Sequence, residues 1–309
     1  MNTTKLKSVL CRAAAGEELT IGFLGGSITQ GSLTTQPENT YAYRVYRWWC
    51  ETFPQAKFHY VNGGIGGTDS LYGVSRAVTD LLMYQPDFVV LDFSVNDTRN
   101  TFCQETYEGA VRRILSWPSR PALVLLHNIY YDSGLTTEAQ HGAVGDWYAL
   151  PRVSVQNTIY RQMKDGQYTM QQLTPDGLHP NDFGHGLVAE EITKLLADVN
   201  AQRDELEAES PLPAPLTANA YADDVKKADT ARSLPRAARF PRRHEGKAWA
   251  SRPLEKRLVC PKGRGFPDLY GGLQLPCGAV PPHDPTPRPA GAAGDGRRHR
   301  APDFAGRQL

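Results

Sequence analysis

The sequence predicts an α/β fold, an open, doubly wound parallel sheet with helices packed on it. Three observations predict it. Short β-rich runs alternate with longer helical patterns through the first two hundred residues. Three of those runs, Lys57–Val61, Phe88–Phe93 and Ala122–His127, are apolar almost throughout, as strands buried on both faces must be. Glycine-rich or polar stretches follow the runs directly, at the carboxyl ends where such sheets bind ligands.

In chain order, a helical pattern over Thr3–Ala15 precedes the first strand, Leu19–Leu24, which runs into Gly25-Gly26. Helical spacing over Tyr41–Phe53 leads to the strand at Lys57–Val61, and Leu71–Met83 leads to Phe88–Phe93. Glu105–Ser116 leads to Ala122–His127. Pro86 and Pro121 stand just before these last two strands, where they stop the preceding helix. A weaker strand near Arg152–Val155 is followed by helical patterns at about Gln156–Lys164 and at Phe183–Asn200. The loops at Gly25–Ser32, Asn62–Ser70, Ser94–Asn100 and Asn128–Ser133 then share one edge of the sheet.

Of the 309 residues, 40% are hydrophobic and 22% charged, ordinary values for a globular protein. The net charge of +1 hides an asymmetry. Residues 1–209 carry 16 Lys+Arg against 24 Asp+Glu, and the remaining residues carry 18 against 9. An acidic first part argues against nucleic acid as its ligand, since phosphate binding needs clustered cations. The five cysteines form no CxxC pair and no zinc-like spacing, and are read as reduced thiols. No stretch approaches the ~20 apolar residues of a membrane helix, and Met1–Leu10 lacks the apolar run of a secretory signal. These features lead us to expect a cytoplasmic protein that does not engage a membrane. Residues 1–205 are expected to form the folded domain, and 206–309 a tail that composition predicts to be disordered. Fifteen of the 23 prolines and thirteen arginines fall in 210–309, and hydrophobic periodicity fades there. A reading frame lost near 228–233 would also produce such text, as would a basic tail that binds an acidic partner.

Four segments carry chemistry. In Ile21-Gly-Phe-Leu-Gly-Gly-Ser27-Ile-Thr-Gln-Gly31 a strand runs into two glycines and a serine. Such a turn can expose a nucleophile whose own amide helps bind an oxyanion. Taken alone it also reads as a turn capping the next helix. In Thr174-Pro-Asp176-Gly-Leu-His179-Pro-Asn-Asp-Phe-Gly-His185 an acid and an imidazole stand three apart in a proline-stiffened loop. Asp176 can accept from the Nδ1–H of His179, leaving Nε2 to take a serine proton. A metal site of Asp176, His179, Asp182 and His185 is the rival reading, but no further group completes the ligand set. Val61-Asn62-Gly-Gly-Ile-Gly-Gly67-Thr offers unobstructed backbone N–H groups, and Phe93-Ser-Val-Asn96-Asp97 brings an amide to the same edge. One peptide N–H and one amide N–H₂ are what a tetrahedral oxyanion requires.

In this order and after these strands, the four blocks resemble those of the SGNH hydrolases, also called GDSL esterases, from about Leu19 to Val199. The resemblance implies a three-layer α/β/α, flavodoxin-like sheet. It implies Ser27 as nucleophile, His179 as general base and Asp176 as the acid that orients it. The implied oxyanion donors are the Ser27 N–H, the Gly67 N–H and the Asn96 side chain, and neither cofactor nor metal is required. Two blocks depart from the family pattern. The first reads Gly-Gly-Ser-Ile-Thr for Gly-Asp-Ser-Leu, a variant seen in bacterial members often grouped with carbohydrate esterases, and Ser94 replaces the usual glycine of the third. Tyr130 and Tyr131, with Asp132 beside them and Trp147 and Tyr148 further on, suit a sugar ring. The expected substrate is therefore a small acyl ester or an acetylated oligosaccharide. Short-chain lipid esters or thioesters, and a catalytically idle carbohydrate-binding protein, are the alternatives.

Overall fold

In a computed structural model, the described residues are 1–205, 208–209 and 211–217. They form a five-stranded parallel sheet with order β2-β1-β3-β4-β5. In chain order the strands are β1 Glu18–Gly25, β2 Lys57–Gly64, β3 Phe88–Asp92, β4 Ala122–His127 and β5 Arg152–Ser154. The helices are α1 Thr4–Ala14, α2 Ser27–Gln30, α3 Tyr41–Thr52, α4 Ser70–Asp80, α5 Thr101–Leu115, α6 Glu138–Trp147, α7 Arg161–Lys164, α8 Met170–Leu173 and α9 Asp182–Asn200. This is the doubly wound, flavodoxin-like order expected. The chain first steps from β1 outward to β2, then crosses back past β1 to β3, so the winding reverses between β1 and β3.

Two cores explain why the central strands read as continuous apolar runs. Alternate side chains of β3 and β4 enter opposite faces. Phe88, Val90, Val124 and Leu126 join one core with Leu10 of α1, Trp49 of α3 and Ile192 of α9. Val89, Leu91, Leu123 and Leu125 join the other with Ala77 of α4, Tyr107 and Ile114 of α5 and Val144 of α6. Each Val, Leu, Ile or Phe buried here contributes about 1.5–3 kcal/mol relative to leaving it in water.

Helix starts follow local capping chemistry. Thr40 accepts from the Tyr43 N–H at 3.1 Å, Asp69 from Tyr72 at 2.9 Å and Asn100 from Cys103 at 2.9 Å. The Asn100 cap starts α5 at Thr101, four residues before the expected Glu105. The chain between β4 and β5, read from sequence only for its aromatics, contains α6. Gly142 and Gly145 lower its propensity and blur its apolar stripe, yet Gly145 brings the helix onto the sheet: a Cβ there would lie 3.0 Å from Leu125 Cδ1. Cys11 and Cys103 are free thiols, while Cys50 is disulfide-bonded, a correction to the reduced reading at that position. Spacing along a chain does not tell which cysteines meet in space. Of the expected tail, Pro211–Thr217 lies against α5 and α6, with the Pro213 carbonyl accepting from Arg112 and the Leu216 N–H donating to buried Glu108 at 2.6 Å. The rest of the expected tail, 218–309, with the suggested frame change at 228–233, lies outside the described residues. Among the described residues no helix is long and apolar enough to cross a membrane.

Candidate active site

Ser27 opens α2 immediately beyond β1, and its N–H, in the first turn of the helix, has no intrahelical partner. The side chain is 7% exposed. Its Oγ lies 2.8 Å from His179 Nε2, and His179 Nδ1 lies 2.7 Å from Asp176 Oδ2. With Nδ1–H donating to the carboxylate, Nε2 is the acceptor facing the serine hydroxyl. Asp176 is itself fixed by its other oxygen, which accepts from the His179 N–H at 2.7 Å, the Leu178 N–H at 3.0 Å and Thr174 Oγ1 at 3.1 Å. Burial would raise this carboxyl, but the hydrogen bond from His179 and those from the backbone hold it well below the usual carboxylate range. Residues 152 positions apart thus meet at one point of the sheet edge.

The loop after β2 and the turn after β3 close around the same serine. Gly66 donates to Gln30 Oε1 at 2.7 Å, which ties the loop to α2, and a Cβ on Gly66 would lie 3.7 Å from Ser27 Cβ. Gly67, at φ +71°, is exposed, and its N–H donates to no group among the described residues. The Asn96 amide packs against the turn that precedes Ser27. A Cβ on Gly26 would lie 2.3 Å from Asn96 Oδ1, so the first block needs glycine at that position for the amide to approach. Ser27, Gly67 and Asn96 therefore gather beside the β1–β3 reversal. Arrangements of this kind can move a proton from the hydroxyl to the imidazole while N–H groups receive a developing negative charge.

Several supporting residues were not singled out from sequence. Asn62 donates to the Thr29 carbonyl at 2.8 Å and accepts from the Gly64 N–H at 2.8 Å, so it locks α2 to the end of β2. Arg76, 7% exposed on α4, donates to the Gly25 carbonyl at 2.9 Å and also to the Gly63 carbonyl. Asp92, the last residue of β3, accepts from Ser94 Oγ at 3.0 Å and Asn128 Nδ2 at 2.7 Å. Burial pushes its carboxyl up to about 6 despite those hydrogen bonds. The signal available in sequence was a polar residue where an apolar strand or helix face should continue, as at Asp92 and Arg76.

The contact between β2 and α2 is tight enough to test. A Cβ on Gly64 would lie 2.2 Å from the Gln30 nitrogen and 2.6 Å from the Thr29 carbonyl carbon, both backbone atoms that cannot rotate away. Gly64→Ala is expected to cost about 1–3 kcal/mol in denaturant unfolding through overpacking. By pushing α2, and Ser27 with it, out of line, it should also lower any turnover that depends on the Ser27–His179 contact at least ~10-fold.

Of the residues expected to contact substrate, Tyr130 is half-buried against the core beside the Asp176 loop. Tyr131 requires correction: it is 1% exposed, packed in the core, and presents no ring face to a ligand. Its N–H donates to the Gly177 carbonyl at 2.7 Å, and that bond turns the ring inward beneath the loop carrying His179. Trp147 and Tyr148 end α6 and fall at the opposite edge of the sheet, where Trp147 donates to the Ala214 carbonyl and Tyr148 to Glu108. The members of the rival metal set are engaged elsewhere. Asp182 accepts from the Thr35 N–H at 2.8 Å and from Asn39 at 2.9 Å, and His185 Nδ1 accepts from the Tyr41 N–H at 3.1 Å. Burial lowers the His185 imidazole to about 4, which leaves it neutral.

Curated proteins give no match. Among solved structures, a two-domain esterase active on acetylated mannans, co-crystallized with mannopentaose, is 51% identical with a TM-score of 0.67. That alignment covers 70% of this chain and 57% of the other. A second structure of a two-domain esterase active on acetylated mannans is 50% identical with a TM-score of 0.69, covering 70% of this chain and 58% of that one. The chain thus spans less than two-thirds of the length of either structure. The sequence pattern of the GDSL-like lipase/acylhydrolase family matches residues 23–187, more than half of the chain, and Ser27, Gly67, Asn96, Asp176 and His179 all lie within it. The chain belongs to the GDSL-like lipase/acylhydrolase family.

Proposed function

We propose that this protein is a serine esterase that removes acetyl groups from a carbohydrate, with manno-oligosaccharides as the first substrate class to test. The observation that carries the reading is the unbroken chain of hydrogen bonds from Ser27 Oγ through His179 to Asp176. His179 takes the serine proton as Oγ attacks the acetyl carbonyl. The oxyanion is received by the Ser27 and Gly67 N–H groups and the Asn96 amide. His179 then protonates the leaving sugar hydroxyl, and water releases acetate from the acyl-enzyme by the same steps. Identity of about half with esterases active on acetylated mannans supports acetyl as the acyl group and mannan as the alcohol.

The test is acetate release from acetylated manno-oligosaccharides, acetylated xylo-oligosaccharides and a p-nitrophenyl ester series of rising chain length. A serine-directed organophosphonate with mass mapping of the label completes it. The expected result is labelling at Ser27, preference for acetyl over longer chains, and the highest kcat/KM on the manno-oligosaccharide. A rise in kcat/KM with acyl length would instead favour lipid or thioester chemistry. Absence of both turnover and label would leave only a binding role.

A further inference from the structure

We propose that Asp97 and His141 form a buried positioning pair that sets the spacing between the oxyanion donors at Gly67 and Asn96. This inference rests on the reading of the site given under Proposed function. Both side chains are 0% exposed, and Asp97 Oδ2 lies 2.9 Å from His141 Nε2. The other carboxylate oxygen, Oδ1, accepts from the Ser70 N–H at 2.7 Å.

Each of these contacts reaches a different part of the site. Ser70 begins α4 and is three residues beyond Gly67, so its N–H marks the end of the loop that presents the Gly67 donor. Asp97 adjoins Asn96, and its own N–H donates to the Phe93 carbonyl at 3.0 Å, closing the turn that presents the amide. His141 is rooted in α6 and stacked on Tyr107 of α5, with ring centroids 3.6 Å apart and planes 3° from parallel. Thr137, one turn before His141, donates from its N–H and Oγ1 to the Ser94 carbonyl at 2.9 and 3.0 Å. One carboxylate therefore joins the Gly67 loop, the Asn96 turn and the α5–α6 layer. Asp92 steadies the Ser94 end of the same turn but makes no bond to the Gly67 loop.

Neither donor has an equivalent tether of its own. The Asn96 amide and the Gly67 N–H make no hydrogen bond among the described residues, which is what a donor kept for substrate requires, and it leaves their placement to neighbours. A displacement of about 1 Å at such a donor is enough to cost ~10²-fold in rate. Aspartate suits the task because its two oxygens accept from two elements at once, and His141 gives Oδ2 the hydrogen-bond partner that Ser70 alone would leave it without.

The test is a double-mutant cycle of Asp97→Asn and Asn96→Ala, read as kcat and KM for a soluble acetyl ester, with thermal unfolding followed in parallel. Asn96→Ala is expected to lower kcat by about 10²–10³. Asp97→Asn should lower kcat by ~10–100-fold with KM changed less than about twofold. The combined loss should fall at least ~5-fold short of the product of the two single losses, because the Asn96 share of the positioning has no value once that donor is gone, while the Gly67 share remains. Losses that multiply in the double variant would overturn the proposal and reduce the pair to a structural contact. If Asp97→Asn does not fold, the cycle is run with Ser70→Pro. That substitution removes the N–H held by Asp97 at the first helical position, where proline is tolerated, and Asp69 before it is already extended. Retained turnover in Ser27→Ala would sink the esterase reading itself. With Ser27→Ala inactive, multiplying losses would sink this inference alone.

Discussion

Ser27→Ala is expected to leave the protein folded and to reduce kcat for acetyl ester hydrolysis by about 10⁶, with His179→Ala falling to a similar level. Ser27 is 7% exposed and belongs to neither core, so removing one oxygen opens no cavity there. Its principal contact is with His179 Nε2 at 2.8 Å, so what disappears is the attacking atom rather than support for the fold. The two side chains act as a unit. A base with no nucleophile has no proton to take, and a serine without its base is too weakly acidic to attack. Combining the two substitutions should therefore cost little more than either alone. Single-turnover kinetics with p-nitrophenyl acetate, together with an unfolding curve for each variant, make the check. Activity in Ser27→Ala within ~10-fold of wild type would remove Ser27 as nucleophile.

The sheet was legible because burial on both faces leaves a plain trace in sequence. Phe88–Asp92 and Ala122–His127 formed where continuous apolar runs stood, and Glu18–Gly25 ended at the glycines that announce the first site loop. Helix α6 was not legible, since Gly142 and Gly145 serve close packing on the sheet and dilute the periodicity by which a helix is recognised. Asp176 and His179 were readable as a pair because they are three residues apart and their contact is local. The partners Asp97 and His141 are 44 residues apart, and Asn62 reaches Thr29 across 33. No pattern along the chain marks such long-range contacts. Tyr131 shows the opposite failure: its composition suited a sugar-binding loop, while a backbone bond to Gly177 turned it into the core. What a side chain can do was evident from sequence; which way it faces was set by hydrogen bonds from distant segments.

The placement of the acid beside His179 leads to the second large effect. Asp176→Asn is expected to keep the loop conformation but to lower kcat by about 10⁴, as loss of the orienting carboxylate does in a serine triad. Asparagine can still accept from the His179 N–H through its carbonyl oxygen. Turned to present its amide N–H₂ to Nδ1, however, it favours the tautomer with the proton on Nε2, which cannot accept from Ser27. The pH dependence follows from the lowered Asp176 carboxyl, whose ionised form accepts from His179, Leu178 and Thr174. A carboxyl depressed in the folded state contributes stability above its unfolded value of about 3.9, and loses it only as the pH falls through the lower folded value. Across pH 5 to 9 Asp176 therefore stays ionised, and the acid limb of kcat/KM belongs to another group. A loss in kcat under ~10-fold in Asp176→Asn would separate Asp176 from His179 and leave the imidazole to be oriented by some other contact.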